Sequence, residues 1–95
     1  DGAGRGERRA VRAGTNAIGR DQKSNRVALD FGDDAVSRTG HAVIVHDAAA
    51  RTFRIVDGGK ANRIKVNDRE VATEWALRHA DVIEIGRTRL RFEIA

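Results

Sequence analysis

The run Arg89-Leu90-Arg91-Phe92-Glu93-Ile94 alternates strictly between charged and apolar side chains. A period of two puts Leu90, Phe92 and Ile94 on one face of an extended chain and Arg89, Arg91 and Glu93 on the other, so the segment reads as a strand with one face in a core and one in water. Val82-Ile83-Glu84-Ile85 precedes it across Gly86-Arg87-Thr88 as a second strand candidate. The inner face of such a pair must be covered by a second apolar layer, and a chain of ninety-five residues can build one core only. There is no cysteine, so packing and sheet hydrogen bonds must hold that core without disulfides or thiolate metal sites.

The same pattern recurs upstream. Arg51-Thr52-Phe53-Arg54-Ile55-Val56 sets Phe53 and Ile55 on one face, and the β-branched run Ala42 to His46 precedes it across Asp47-Ala48-Ala49-Ala50. Arg63-Ile64-Lys65-Val66 and Arg69-Glu70-Val71 flank Asn67-Asp68, a two-residue turn of the hairpin type. Arg26-Val27-Ala28-Leu29 is a shorter strand candidate, ended by Gly32-Asp33-Asp34. Residues 7–13 are weakly strand-like, Gly14-Thr15-Asn16 reads as a turn, and the polar loop Asp21 to Asn25 contains no hydrophobic anchor. Thr73 to Ala80, with Trp75 and Leu77, fits either a helical turn or an extended segment, Trp75 being a packing residue. Residues 1–6 are a glycine-rich linker and residues 7–95 a single domain. Many short strands, frequent turns and no convincing amphipathic helix predict an all-β sandwich or barrel.

The formal charge of +4 invites a nucleic-acid partner, but the arginines are scattered among acidic residues. With three phenylalanines, one tryptophan and no tyrosine, the aromatic interleaving of a single-strand binder is missing. No apolar run reaches the length of a membrane span and no signal peptide is visible, so the expected location is the cytoplasm. Arginine over lysine and abundant alanine fit a GC-rich, bacterial genome. Neither a nucleophile-base set nor a paired-carboxylate site is present, so the chain does not read as an enzyme. His41, His46 and His79 have no recognised ligand spacing, which argues against a metal, and no cofactor is expected.

Three polar loops remain: Gly19-Arg20 with the residues after it, Val36 to His41, and Lys60 to Asn62. Alternate loops of a two-sheet sandwich gather at one end, so residues far apart in sequence can share a surface. Individually these residues have plain readings: Arg20 as a surface arginine, Ser37 as a turn cap, Asn62 as a loop residue tolerating the left-handed region. Their order is informative. Ile18-Gly19-Arg20, Val36-Ser37-Arg38 with His41-Ala42, Asp57-Gly58-Gly59-Lys60-Ala61-Asn62-Arg63-Ile64-Lys65-Val66-Asn67, and Leu77 to Asp81 with Val82 and Gly86 resemble, in sequence and spacing, the characteristic stretches of the forkhead-associated (FHA) domain.

The resemblance implies a two-sheet β-sandwich of about 10–11 short strands, SMAD/FHA-like, with binding loops clustered at one end, that recognises phosphothreonine peptides. It implies that Arg20 and Ser37 bind the phosphate, that Asn62 holds the peptide backbone, and that Gly19 and His41 shape the loops. Arg38, Lys60 and Arg63 add charge beside that site. The implied partner is a phosphothreonine-containing protein, the substrate of a Ser/Thr kinase. Gly40 is an extra residue between Ser37 and His41, Lys60-Ala61 replace hydroxyl residues, Arg63 replaces a glycine and Ala80 another. If the Arg63 position requires a positive φ, Arg63 is strained there. These departures keep a second reading open, an FHA-like scaffold that binds partners independently of phosphorylation.

Overall fold

The computed structural model describes residues 10–21, 23–29, 35–59 and 63–94. The linker expected over residues 1–6 lies outside them. The described residues form nine strands: β1 (Gly14–Gly19), β2 (Val27–Ala28), β3 (Ala42–Asp47), β4 (Thr52–Asp57), β5 (Lys65–Val66), β6 (Arg69–Glu70), β7 (Glu74–Ala76), β8 (Val82–Ile85) and β9 (Thr88–Arg91). They make a five-stranded sheet, β2-β1-β3-β4-β7, and a four-stranded sheet, β6-β5-β8-β9. All pairs are antiparallel except β1 with β2. No helix among the described residues is long and apolar enough to cross a membrane.

Pleating selects the core. Ile18, Ile44 and Ile55 from the first sheet cluster with Val66, Ile83 and Ile85 from the second, and Leu29, Val36, Ile64 and Val71 join from the connections, all buried. Phe53 ties the sheets at one end: its ring stacks on His46 at 4.1 Å and meets Phe92 edge-on at 5.0 Å. Trp75 packs half-buried against the same cluster.

The local chemistry explains the turns. Asn67 and Asp68 both have positive φ, 51° and 67°, as a two-residue hairpin turn requires, and they join β5 to β6. Asn67 also fastens this hairpin to β8: its Nδ2 donates to Asp81 Oδ1 and its Oδ1 accepts from Val82 N, both at 3.0 Å.

Two expectations change and one open alternative is resolved. Gly14-Thr15-Asn16 is the start of β1, not a turn, because the bend falls just before it. The buried Asn16 side chain accepts from Arg12 N and donates to Arg12 O, each at 2.8 Å, and also reaches Ile44 O at 3.1 Å. Of the two possibilities left open for residues 73–80, the extended one forms: β7 pairs with β4 in register Ile55 to Trp75. Ile94 lies past the end of β9 and is 44% exposed, so the alternation buries Phe92 and half-buries Leu90 but stops short of Ile94.

Ala80 adopts φ 74°. A Cβ in the left-handed region costs roughly 1–2 kcal/mol that glycine avoids, partly offset by glycine's larger unfolded-state entropy. Ala80→Gly is therefore expected to stabilise the domain by up to about 1 kcal/mol in denaturant unfolding, and a loss of stability would contradict the strain.

Candidate functional site

A cavity of about 630 Å³ opens between the sheets beside His46, Phe53, Leu90 and Phe92, and none of Gly19, Arg20, Ser37, Arg38 or His41 lines it. Gly19, Arg20 and the 36–41 turn lie at the opposite end of β3 and β4, where Ala42 pairs with Asp57.

There the end of β1 is laced to residues 36–38. Arg20 N donates to Ser37 O at 3.0 Å and Asp21 N to Arg38 O at 2.9 Å. The Arg20 guanidinium lies along the same segment, with Nε donating to Val36 O. Arg20 is thus half-buried and anchored through Nε, while its two terminal amino groups have no hydrogen-bond partner among the described residues. A guanidinium held this way offers its fork to a ligand with little side-chain freedom left to lose.

The 36–41 turn is held from inside by His41, which is fully buried. Its Nδ1 accepts from Ser37 N at 2.8 Å, its own N–H donates to Ile18 O at 2.7 Å, and its carbonyl accepts from Gly58 N at 3.0 Å. The amide of Ser37 is therefore committed to the imidazole. Gly40, the extra residue, takes φ 54°, and its N–H donates to Asn25 Oδ1 at 3.0 Å. The left-handed conformation that glycine permits absorbs the additional residue locally. The Ser37 hydroxyl and the amides of Arg38 and Thr39 have no hydrogen-bond partner among the described residues, and Arg38 and Thr39 are exposed.

Asn25 is the residue that sequence reasoning missed. The loop from Asp21 has no apolar anchor, but the buried Asn25 replaces one: Nδ2 donates to Asp21 O at 2.7 Å and to Arg38 O at 2.8 Å. Nearby, Asp21 accepts from Ser24 Oγ at 2.6 Å. That bond, then the Lys23 amide and the Arg38 charge, holds the Asp21 carboxyl below its ordinary range. A depressed carboxyl steadies the loop above the ordinary aspartate range, and the contribution is lost as pH falls through the lowered value.

Of the remaining predicted residues, Lys60 and Asn62 lie outside the described residues. Arg63 opens the next described segment, just before β5. Its guanidinium faces its own hairpin, with Nε 3.4 Å from Glu70 Oε1 and Nη1 3.5 Å from Ala72 O. Both partners of that ion pair are more than half exposed, so the pair contributes at most about 1 kcal/mol and a dianionic ligand can compete for Arg63. No group of three or more metal-ligating side chains converges among the described residues.

The FHA domain family model matches residues 16–86. Among solved structures, an FHA domain from a structural and functional analysis of phosphothreonine-dependent FHA interactions is 32% identical with a TM-score of 0.84, over 97% of this chain and 88% of that one. The FhaA FHA domain, solved with the intracellular domain of Rv3910, is 34% identical with a TM-score of 0.78, over 90% and 87%. The MEK1 FHA domain, solved with the HOP1 pThr318 peptide, is 27% identical with a TM-score of 0.70, over 88% and 83%. A comparison with curated protein sequences finds no match.

Two glycines hold these loops by close approach. A Cβ on Gly19 would lie 2.7 Å from both Arg38 O and Asn25 Oδ1, and one on Gly58 would collide with Gly40 O and lie 2.6 Å from His41 O. Gly58 is exposed, and ordinary surface substitutions change stability by at most about 0.5 kcal/mol. Gly58→Ala is instead expected to cost on the order of 2 kcal/mol in chemical denaturation, because backbone must move to admit the methyl group. A change within about 0.5 kcal/mol would show that the loops do not meet this closely.

Proposed function

The chain belongs to the FHA domain family, and on that premise we propose that it is a phosphothreonine-peptide recognition module that recruits a phosphorylated partner protein, a substrate of a Ser/Thr kinase, in cytoplasmic signalling. The observation that carries this reading is the anchoring of the Arg20 guanidinium on the 36–41 turn, a turn whose Ser37 hydroxyl and Arg38 and Thr39 amides have no partner among the described residues. A phosphothreonine side chain has nearly two negative charges and several acceptor oxygens, and it needs charge-assisted donors converging from a rigid frame. Arg20 supplies a planar fork, Ser37 a hydroxyl, and the Arg38 and Thr39 amides lie alongside.

In this reading Asn62 holds the peptide main chain, and Arg38, Lys60 and Arg63 add positive charge around the phosphate. Gly19 and His41 support the site without touching the ligand. The known relatives solved with phosphopeptides or studied for phosphothreonine dependence support the same ligand class.

A second reading, a scaffold of this fold that binds independently of phosphorylation, is favoured by one feature, the turning of Arg63 toward Glu70 and Ala72. Titration with a degenerate peptide library in phosphorylated and unphosphorylated forms separates the two. The recognition reading expects binding of the phosphorylated form alone. Arg20→Ala is expected to cost about 2–5 kcal/mol, as truncating one partner of a buried charge-assisted contact does. Equal affinity for both forms, unchanged in Arg20→Ala, would establish the scaffold instead.

A further inference from the structure

We propose that Asn25 is a positioning residue that sets the distance and angle between Arg20 and the 36–41 turn, and so governs phosphate affinity without contacting the ligand. This rests on the phosphopeptide reading above. Among the described residues, Asn25 is the one side chain whose hydrogen bonds connect its own loop, at Asp21, with both Arg38 and Gly40 across the turn. Both of its amide hydrogens are donated and its oxygen accepts, so its capacity is almost fully used while it is 6% exposed.

The consequences reach the ligand-facing groups. Arg38 O accepts from Asn25 Nδ2 as well as from Asp21 N, so the peptide plane between Arg38 and Thr39 is fixed by two donors. The N–H of that plane is Thr39's, one of the two amides in the turn without a partner among the described residues. On the far side, Asn25 Oδ1 captures the Gly40 amide and so stabilises the left-handed residue that takes up the extra length of the turn. Asn25 also packs where a Cβ on Gly19 would stand, which places it directly beneath the residue preceding Arg20. One buried amide thereby couples the arginine that carries the charge to the turn that carries the hydroxyl and amides. The loop contains no apolar side chain that could do this by packing.

The test compares the wild-type protein with Asn25→Ala and Asn25→Asp. Loss of buried hydrogen bonds at this position is expected to weaken binding of the phosphothreonine peptide selected by the wild type by about tenfold or more. Asn25→Asp is nearly the same size and keeps the acceptor for Gly40 N, but in its ionised form it turns two donor sites into repulsion against Asp21 O and Arg38 O. Its affinity relative to wild type at the same pH should therefore recover as acidification protonates the new carboxyl and restores one donor. A role in packing alone would leave that ratio flat.

A second readout needs no ligand. Amide hydrogen exchange at Gly40 should accelerate by about tenfold or more in Asn25→Ala, while β8 and β9 keep their protection. Wild-type affinity and wild-type Gly40 exchange in a folded Asn25→Ala protein would overturn the proposal. If the wild type shows no preference for phosphorylated peptides, the functional reading fails, and the Gly40 exchange rate alone then decides whether Asn25 shapes the turn. If Asn25→Ala does not fold, Asn25→Asp and its pH profile decide.

Discussion

The loop end of this domain that bears Arg20 and the 36–41 turn depends on one buried imidazole. His41 is fully inaccessible, and its side chain, N–H and carbonyl connect Ser37, Ile18 and Gly58. Those three residues belong to the turn, to β1 and to the start of the loop after β4, so these described segments are referenced to one point. Nδ1 accepts the Ser37 N–H, which fixes the orientation of the ring against the turn. A buried acceptor of this kind is costly to leave unpaired, which makes the turn and the ring mutually dependent. Gly58 completes the arrangement by bringing backbone against backbone at a distance no other residue allows.

Around that point the turn and Arg20 are held by bonds that differ from segment to segment. The turn is held by His41, Asn25 and the left-handed Gly40, while Arg20 is held by its own Nε and by the backbone ladder to Ser37 and Arg38. Pre-organisation of this sort lowers the entropic cost of capturing a small, highly charged group. Arg63 contrasts with Arg20, being exposed and paired with Glu70. In the proposed function Arg20 recognises the phosphate, and Arg63 contributes as a movable charge.

Much of this was legible in the sequence, for physical reasons. The strict alternation around Phe53 and Ile55 and through Leu90 and Phe92 predicted half-buried strands, and Asn67-Asp68 predicted a tight hairpin that the positive φ values confirm. The start of β1 was not legible, because Asn16 is a polar residue in a core position whose partners, Arg12 and Ile44, only the tertiary structure supplies. Asn25 was hidden for the same reason. An asparagine in a polar loop looks like any turn residue until its bonds to Arg38 and Gly40 exist. The placement of the 73–80 segment as a strand depended on pairing with β4, which no local pattern encodes.

The central claim is that the end of the sandwich bearing Arg20 and the 36–41 turn recognises a phosphorylated threonine. Amide chemical-shift mapping with one peptide in phosphorylated and unphosphorylated forms tests it most directly. The account predicts shifts confined to residues 19–26, 36–41 and 58–63, largest at Arg20, Arg38 and Thr39, and produced by the phosphorylated form alone. Shifts spread over the outer sheet faces, or the same shifts from both forms, would contradict it.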